Sequence, residues 1–347
     1  MVTRCSENPI ITPADVPPSR PEFEVVCVFN CGVTRHEGDV LLLLRVAERV
    51  KQTDPAICQV PLFDEEAGEV VIKSFRTDDP TIDYSDSRFV YTKERIYLSS
   101  MSHFRVARSK DGVHFDIEKT PALAPGNEYE MYGIEDPRIT KFGDTYYVNY
   151  SACSVTTGVT TSLATTKDFV HFERQGVIFP PDNKDVAIFP EKISGKYYAL
   201  HRPISYEYKT KDIWIAESPD LVCWGNHKRL ISARSGMWDN GRIGCSAVPF
   251  RVEGGWLELY HGASSENRYC LGALLLDADD PSKVLARGEK PFMEPEADYE
   301  VNGFFGNVVF NCGVLDEEGV VKVYYGGADT VVGYAEASLD SILATLD

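Results

Sequence analysis

Residues 142–150, Phe-Gly-Asp-Thr-Tyr-Tyr-Val-Asn-Tyr, combine a glycine turn with a short run of aromatic and β-branched side chains. Such a run is typical of a β-strand that leaves a tight turn. The same turn-and-strand unit recurs along the chain, with starts roughly 50 to 65 residues apart. The other copies begin at Glu37, Lys93, Ser194, Glu253 and Glu317.

The regular spacing of these units predicts the fold class. A strand-rich repeat of this period with few helices is typical of an all-β propeller, in which loops from every blade surround a central funnel. Two β-sandwiches are the alternative, but they would not repeat one unit along the whole chain. Six units fit six blades, or five if an N-terminal strand completes the last blade. A short helix is expected over Leu339–Leu346.

The net charge of the chain limits the classes of binding partner. The 347 residues carry a formal net charge of −18. A field of that sign repels nucleic acid and anionic membrane surfaces, so neither is an expected partner. A local group of arginine, lysine and histidine is therefore informative, because an anionic substrate would need one.

The nine cysteines are scattered and odd in number. No Cys-x-x-Cys pair occurs, which disfavours a zinc site or a redox dithiol, and no metal is expected. The first fifteen residues are polar and contain Pro9 and Pro13, which is not typical of a signal peptide. No apolar run reaches the ~20 residues of a membrane helix. These features favour a reduced, cytoplasmic protein.

The most unusual local segment is Gly133-Ile134-Glu135-Asp136-Pro137-Arg138, in which two carboxylates stand beside a proline and an arginine. One interpretation is a turn whose aspartate caps backbone groups and whose arginine makes a surface ion pair. The other is a carboxyl group that acts as a general acid in glycosyl transfer. From these residues alone, neither interpretation is favoured.

Basic residues cluster further along the chain. Lys184, Lys192, His201 and Arg202 lie within twenty residues, and Arg242 lies in a stretch with two glycines. Each residue alone is more simply a solvated charge. Together, on successive blades, they predict a cradle for an oxyanion, because arginine binds phosphate oxygens through a planar fork and glycine allows close approach.

Arg45 follows the apolar run 41–44, where a buried guanidinium is costly unless it is paired. Asp329 is its counterpart in the last unit, and the two form either a structural ion pair or a pair that binds sugar hydroxyls. His261 is compatible with a core histidine. No phosphate-binding glycine loop, serine-hydrolase motif or zinc-protease motif occurs.

Taken together, the segments resemble glycoside hydrolase family 130, the β-mannoside phosphorylases, and within it the enzymes for β-1,2-linked mannobiose and oligomannan. The resemblance runs from Glu7 to Asp329. The motifs that carry it are Phe29-Asn30-x-Gly32, Leu42–Glu48, Gly133-Ile134-Glu135-Asp136, Asn183-Lys184-Asp185, Phe189-Pro190-Glu191-Lys192, His201-Arg202-Pro203, Tyr260-His261-Gly262 and Asn302-Gly303-Phe304-Phe305-Gly306.

The resemblance implies one five-bladed β-propeller catalytic domain over residues 1–347, with the active site in the central funnel. It implies reversible, inverting phosphorolysis in which Asp136 is the general acid, inorganic phosphate is the nucleophile and α-mannose 1-phosphate is released. The implied phosphate-binding residues are Lys184, His201, Arg202 and Arg242. The implied substrate-binding residues are Asn30, Arg45, Arg88, Glu135, Arg138, His261 and Asp329, of which Arg45 and Asp329 would hold the mannose at the cleaved end.

The expected partners are β-1,2-manno-oligosaccharide, inorganic phosphate and mannose 1-phosphate; no cofactor is expected, and homo-oligomer formation is left open. Asp185 departs from relatives with Arg-Asn at positions 184 and 185, so its carboxylate must point away from phosphate or pair with Lys184. Residues 50–86 and 205–211 are candidate rim segments. The alternatives are a mannosyltransferase that uses GDP-mannose, a β-1,2-mannosidase, which would need two carboxylates, and a non-catalytic sugar-binding propeller.

Overall fold

The computed structural model describes residues 2–205 and 207–346. Met1 and Asp347, at the ends of the predicted domain, and Tyr206, in the second rim segment, lie outside the described residues. Nearly all regular structure in the described part is β-strand, which confirms the all-β prediction. The only α-helices described there are α1 (Asp298–Val301) and α2 (Leu339–Leu343), with 3-10 turns at Pro13–Asp15 and Glu128–Glu130. Helix α2 lies in the segment predicted to be helical.

The strands follow one another in antiparallel runs, most of them joined by short turns. In chain order they are β1 (Val2–Arg4), β2 (Phe23–His36), β3 (Asp39–Val50), β4 (Ile57–Asp64), β5 (Glu69–Arg76), β6 (Phe89–Tyr91), β7 (Ile96–Leu98), β8 (Met101–Ser109), β9 (Asp116–Ile117), β10 (Gly133–Phe142), β11 (Thr145–Ser154), β12 (Gly158–Thr166), β13 (Phe172–Phe179), β14 (Asn183–Ile188), β15 (Tyr197–Pro203), β16 (Ile213–Ser218), β17 (Gly225–Ile231), β18 (Arg242–Cys245), β19 (Phe250–Val252), β20 (Gly255–Ala263), β21 (Tyr269–Leu276), β22 (Val284–Arg287), β23 (Val309–Glu317), β24 (Val320–Gly327) and β25 (Val331–Ser338).

Antiparallel pairing sorts these strands into successive groups. The five main groups are β2-β3-β8-β9, β10 to β13, β14 to β17, β18 to β22, and β23 to β25 with β1, while β4 pairs with β5 and β6 with β7 in two separate hairpins. A parallel bridge between Gly133 and Ser102 joins the first two groups. Strand β1 pairs with β25, so the N-terminal strand completes the last group. Contacts run from β2 through β10, β14 and β18, and from β21 through β23 back to β2. This closed ring of sheets is consistent with a propeller.

The repeated sequence unit corresponds to the second strand of each group. Five of the six copies form β3, β11, β15, β20 and β24. The copy that begins at Lys93 forms β7, which pairs with β6 in a small hairpin inserted between β3 and β8. Six units are therefore present in the sequence although the described strands form five groups.

The core lies between the groups. In β3, Leu42 and Leu44 pack against the fifth group, whereas Leu41 and Leu43 pack against the second. Alternate residues of a strand point to opposite faces, so a strand buried on both faces is apolar throughout. Each of the other neighbouring pairs of groups also shares an apolar cluster. Apolar contacts therefore continue from each group to the next around the ring.

Two general expectations can be compared with the structure. No helix among the described residues has the length and apolar character needed to cross a membrane. The nine cysteines are all free thiols, and six of them are buried.

Candidate active site

The inner strands of the ring surround a cavity of about 420 Å³, a size within the usual range for small-molecule sites. Its wall takes residues from, or next to, the inner strand of every group. Ten of the twelve predicted site residues line it: Asn30, Arg45, Arg88, Glu135, Asp136, Lys184, Arg202, Arg242, His261 and Asp329.

Backbone bulges explain how the inner strands aim polar side chains at the cavity. The register shifts in β2, β10 and β14 next to Asn30, Asp136 and Asp185. These residues have φ angles of 44°, 52° and 55°, in the left-handed region. Asn and Asp enter this region more readily than other non-glycine residues, and a bulge re-aims the side chain it carries. The strained positions therefore coincide with the predicted chemistry.

One side of the cavity, here called the carboxylate half, contains Asn30, Arg45, Glu135, Asp136, Lys184 and Asp329. Arg45 Nη1 lies 2.8 Å from Asp136 Oδ1, and Arg45 Nη2 lies 2.8 Å from Glu135 Oε1. Asn30 Nδ2 also donates to Asp136 Oδ1, at 3.0 Å. Both contacts use the same oxygen of Asp136, Oδ1.

The charges of this half are nearly balanced. Lys184 Nζ lies 3.0 Å from Glu135 Oε2, so two cations face three carboxylates. Burial alone would raise the pKa of Glu135, but the charges of Arg45 and Lys184 lower it to about 2. Burial raises the pKa of Asp329 to about 7 against the charge of Arg45, and the carboxylates of Asp136 and Glu135 add to the increase. The carboxylate half therefore retains a proton up to near-neutral pH.

The opposite side, here called the cationic half, contains Arg202, Lys211, Arg242, His261 and Asp185. Arg242 lies over the Tyr269 ring, with 5.4 Å from its guanidinium carbon to the ring centre. Burial and the charges of Arg242 and Arg202 lower the pKa of Lys211. Across residues 2–205 and 207–346, no carboxylate oxygen lies within 4.0 Å of the Lys211 or Arg242 nitrogens. This half therefore has positive charge that an anion would neutralise.

Asp185 is buried in the cationic half and is fully engaged. Its Oδ2 accepts from Arg202 Nε at 2.6 Å and lies 3.4 Å from His261 Nε2. Its Oδ1 lies 3.5 Å from Arg138 Nη2. Burial would raise the pKa of Asp185, but Arg202 and His261 hold it well below its usual value. The expected pairing of Asp185 with Lys184 is not formed, because Lys184 pairs with Glu135 and Asp185 pairs with Arg202 instead.

His201 does not reach the cavity, in contrast to the prediction that it binds phosphate. It precedes Arg202 on β15, so the two side chains point to opposite faces of the strand. The His201 ring stacks on Phe179 with 4.7 Å between ring centres, and its Nε2 lies 3.1 Å from His227 Nδ1. His201 is therefore not among the residues that line the cavity, whereas Arg202 is.

Arg138 also lies outside the cavity, in contrast to its predicted role in substrate binding. Its side chain is 1 % exposed. Its Nε donates to the Ser246 carbonyl at 2.8 Å, and its Nη2 donates to the Cys245 carbonyl at 2.6 Å. Arg138 therefore links β10 to the end of β18 and supports the cavity wall from behind.

Sequence reasoning missed several residues of the cavity wall. Lys211 ends the second candidate rim segment but was not assigned a role. Phe304 and Phe305 belong to a motif that carried the resemblance, and Phe304 is 45 % exposed. The other unassigned wall residues are Phe29, Phe89, Leu98, Ser100, Ser102, Ile204, Tyr269, Val308 and Phe310. Lone aromatic residues next to strands give no signal in a sequence of this composition, because most of them fill the core.

The cavity shows no arrangement suited to a metal ion. Within the part of the chain that the structure describes, no group of three or more His, Cys, Asp or Glu side chains could hold one. The ionisable groups available there are carboxyl groups, guanidinium groups, two ammonium groups and an imidazole.

Known proteins resemble this chain over most or all of its length. The family model of glycoside hydrolase family 130, described as β-1,4-mannooligosaccharide phosphorylase, matches residues 63–347. A β-1,2-mannobiose phosphorylase of Listeria innocua is 51% identical over 350 residues, with 100% of this chain and 98% of that protein covered. A 1,2-β-oligomannan phosphorylase of Thermoanaerobacter is 41% identical, with 71% of this chain and 82% of that protein covered.

Solved structures agree with the sequence relatives. The β-1,2-mannobiose phosphorylase of Listeria innocua, in complex with β-1,2-mannobiose, superimposes with a TM-score of 0.95 and covers 99% of both chains. Its sequence identity to this chain is 51%. The matched family model, the relatives and the shared fold show that this chain belongs to glycoside hydrolase family 130.

Proposed function

We propose that this protein is a β-1,2-mannoside phosphorylase, which cleaves a β-1,2-mannosidic bond with inorganic phosphate and releases mannose 1-phosphate. The family model carries a β-1,4 description, but the two relatives with the greatest identity among those described above are named for β-1,2 substrates. The observation that carries the proposal is the division of one cavity into a carboxylate half and a cationic half.

Asp136 is the proposed general acid. When the bond between the anomeric carbon and the bridging oxygen breaks, that oxygen needs a proton, which Asp136 supplies, directly or through a sugar hydroxyl. Asp136 then becomes a carboxylate. Arg45 and Asn30, both within 3.0 Å of its Oδ1, stabilise that charge and hold the carboxyl group in place.

The cationic half is the proposed site for the attacking phosphate. Arg202, Lys211 and Arg242 offer fixed donors to its oxygens, and Asp185 fixes the Arg202 guanidinium through a 2.6 Å contact. Holding the nucleophile in place lowers the entropic barrier to attack. A phosphate oxygen bonds to the anomeric carbon from the face opposite the acid, so the β-linked mannose leaves as α-mannose 1-phosphate.

Hydrolysis is less well supported than phosphorolysis. A mannosidase needs a carboxylate base that activates water opposite the acid. Of the carboxylates that line the cavity, Asp185 is the one in the cationic half, and its pairing with Arg202 makes it a weak base.

We further propose that residues 1–347 act as one catalytic domain in the cytoplasm, with phosphate as co-substrate in place of a cofactor. The cavity wall draws on every group of the ring, so no smaller part of the chain would hold the site. Nine free thiols suit a reducing compartment.

Incubation with β-1,2-mannobiose or β-1,2-mannotriose, with and without inorganic phosphate, tests the proposal. We expect mannose 1-phosphate only when phosphate is present, and no product from β-1,4-mannobiose. Free mannose as the sole product without phosphate would show a hydrolase. Mannosyl transfer from GDP-mannose, with no reaction from mannose 1-phosphate, would show the sugar-nucleotide enzyme instead.

A further inference from the structure

A second cavity of about 410 Å³ adjoins the active site. Lys211 and Arg242 line this outer cavity and also the active-site cavity, so the two cations stand between the two spaces. The other residues that line the outer cavity are Ser205, Lys209, Gly241, Ser264 and Ser265.

The lining of the outer cavity has the chemistry of an anion site. It offers three cationic side chains and three serine hydroxyls, and no carboxylate is among the described residues that line it. Phosphate groups are bound in proteins by this combination of charge and hydroxyl donors. The composition is unusual here because the whole chain has a formal net charge of −18.

The wall between the two cavities is held in a fixed geometry. Arg242 Nη2 donates to Asn267 Oδ1, and its guanidinium lies over the Tyr269 ring. A Cβ atom at Gly241 would lie 2.6 Å from the Ser264 carbonyl oxygen, so only glycine fits where these two segments meet. Arg242 is therefore positioned by its own neighbours before any ligand arrives.

We propose that the outer cavity binds the phosphate group and passes it across Lys211 and Arg242 to the active site. This inference rests on the proposed function. Mannobiose in the active-site cavity would occupy the funnel, and the acidic surface would slow an anion that approached from elsewhere. The outer cavity gives phosphate a cationic approach that does not cross the sugar site.

A charge reversal at Lys209 tests the proposal. Lys209 is exposed and lines the outer cavity but not the active-site cavity. The matched control is Lys228→Glu, which changes an exposed lysine on β17 of the same group. We expect Lys209→Glu to lower kcat/KM for phosphate by about three- to tenfold, while KM for mannobiose and kcat at saturating phosphate stay within about twofold of wild type. The effect should shrink above about 0.5 M salt, where screening is strong.

Calorimetric titration with inorganic phosphate measures the same site without turnover. We expect weaker phosphate binding by Lys209→Glu than by Lys228→Glu, whether or not the protein phosphorolyses mannobiose. In the synthetic direction, an equal fall in kcat/KM for mannose 1-phosphate in Lys209→Glu would show that the cavity binds phosphate esters as well as free phosphate. Equal phosphate binding by both variants, or a change confined to KM for mannotriose, would overturn the proposal.

Discussion

The two halves of the cavity differ in how their charges are satisfied. In the carboxylate half, Arg45 bridges Glu135 and Asp136, and Lys184 neutralises the other oxygen of Glu135. In the cationic half, Arg202 has a carboxylate partner, whereas Arg242 and Lys211 have none among the described residues. The first half can keep its geometry without a ligand. The second half gains its missing negative charge when an anion binds.

The largest expected effect is that of Asp136→Asn in the carboxylate half. Asparagine keeps the size of the side chain but cannot deliver a proton, so kcat should fall by about 10³-fold. Phosphate affinity, measured by calorimetry, should change little because the cationic half is untouched. Phosphorolysis within tenfold of wild type would remove Asp136 from the acid role.

Arg202→Lys should have a smaller effect, confined to the other half. Lysine keeps the charge but loses the planar fork, so kcat/KM for phosphate should fall by about tenfold to a hundredfold. Titration of the protein with mannobiose should show nearly unchanged sugar affinity. A variant that loses mannobiose binding and keeps phosphate binding would mean that the two halves are assigned the wrong way round.

The raised pKa of Asp329, in the carboxylate half, predicts that the stability of the protein depends on pH. Its pKa in the folded protein is raised from 3.8 to about 7, mainly by burial. The contribution of Asp329 to the free energy of unfolding is therefore complete below about pH 4. It is lost as the pH rises through 7, by up to about 1.4 kcal/mol per pH unit. Urea unfolding of wild type and Asp329→Asn at pH 5, 6, 7 and 8 should show wild type losing stability relative to the variant. A difference that does not vary with pH would contradict this.

The smallest expected effect on phosphorolysis is that of His201→Gln. Together with Arg202→Lys, this variant compares two neighbouring residues of β15. Because His201 faces away from the cavity, KM for phosphate should stay within about twofold of wild type, in contrast to Arg202→Lys. Thermal unfolding of the variant should still show a lower Tm, since the stacking of His201 on Phe179 is lost. A tenfold rise in KM for phosphate would mean that His201 takes part in phosphate binding after all.

Much of the fold and the site followed from local sequence. Turn-and-strand repeats predicted the ring of sheets, and motifs such as Gly133–Asp136 and His201–Pro203 contain some of the ten predicted residues that line the cavity, which make up fewer than half of its wall. The count of blades could not be settled from the repeats. The copy at Lys93 has the same local pattern as the others, and only long-range pairing shows that it forms the inserted hairpin.

The differences between the predicted and the observed cavity wall have physical reasons. Successive side chains of a strand point to opposite faces, so His201 and Arg202 could not both face the cavity. The motif His201-Arg202-Pro203 was assigned as a whole, without applying this rule. Arg138 follows Pro137, and the bulge there re-aims Asp136 into the cavity while Arg138 points behind the wall. Lys211 was missed because one lysine in a polar loop has no distinguishing pattern until Arg202 and Arg242 are seen beside it.

The configuration of the first product shows directly whether acid and phosphate act from opposite faces of the mannose. Phosphorus and proton NMR of the reaction with β-1,2-mannobiose, followed from the first minutes, distinguish α- from β-mannose 1-phosphate. We expect the α anomer as the initial product. Initial β-mannose 1-phosphate would contradict it, because retention requires the nucleophile and the acid to be arranged differently.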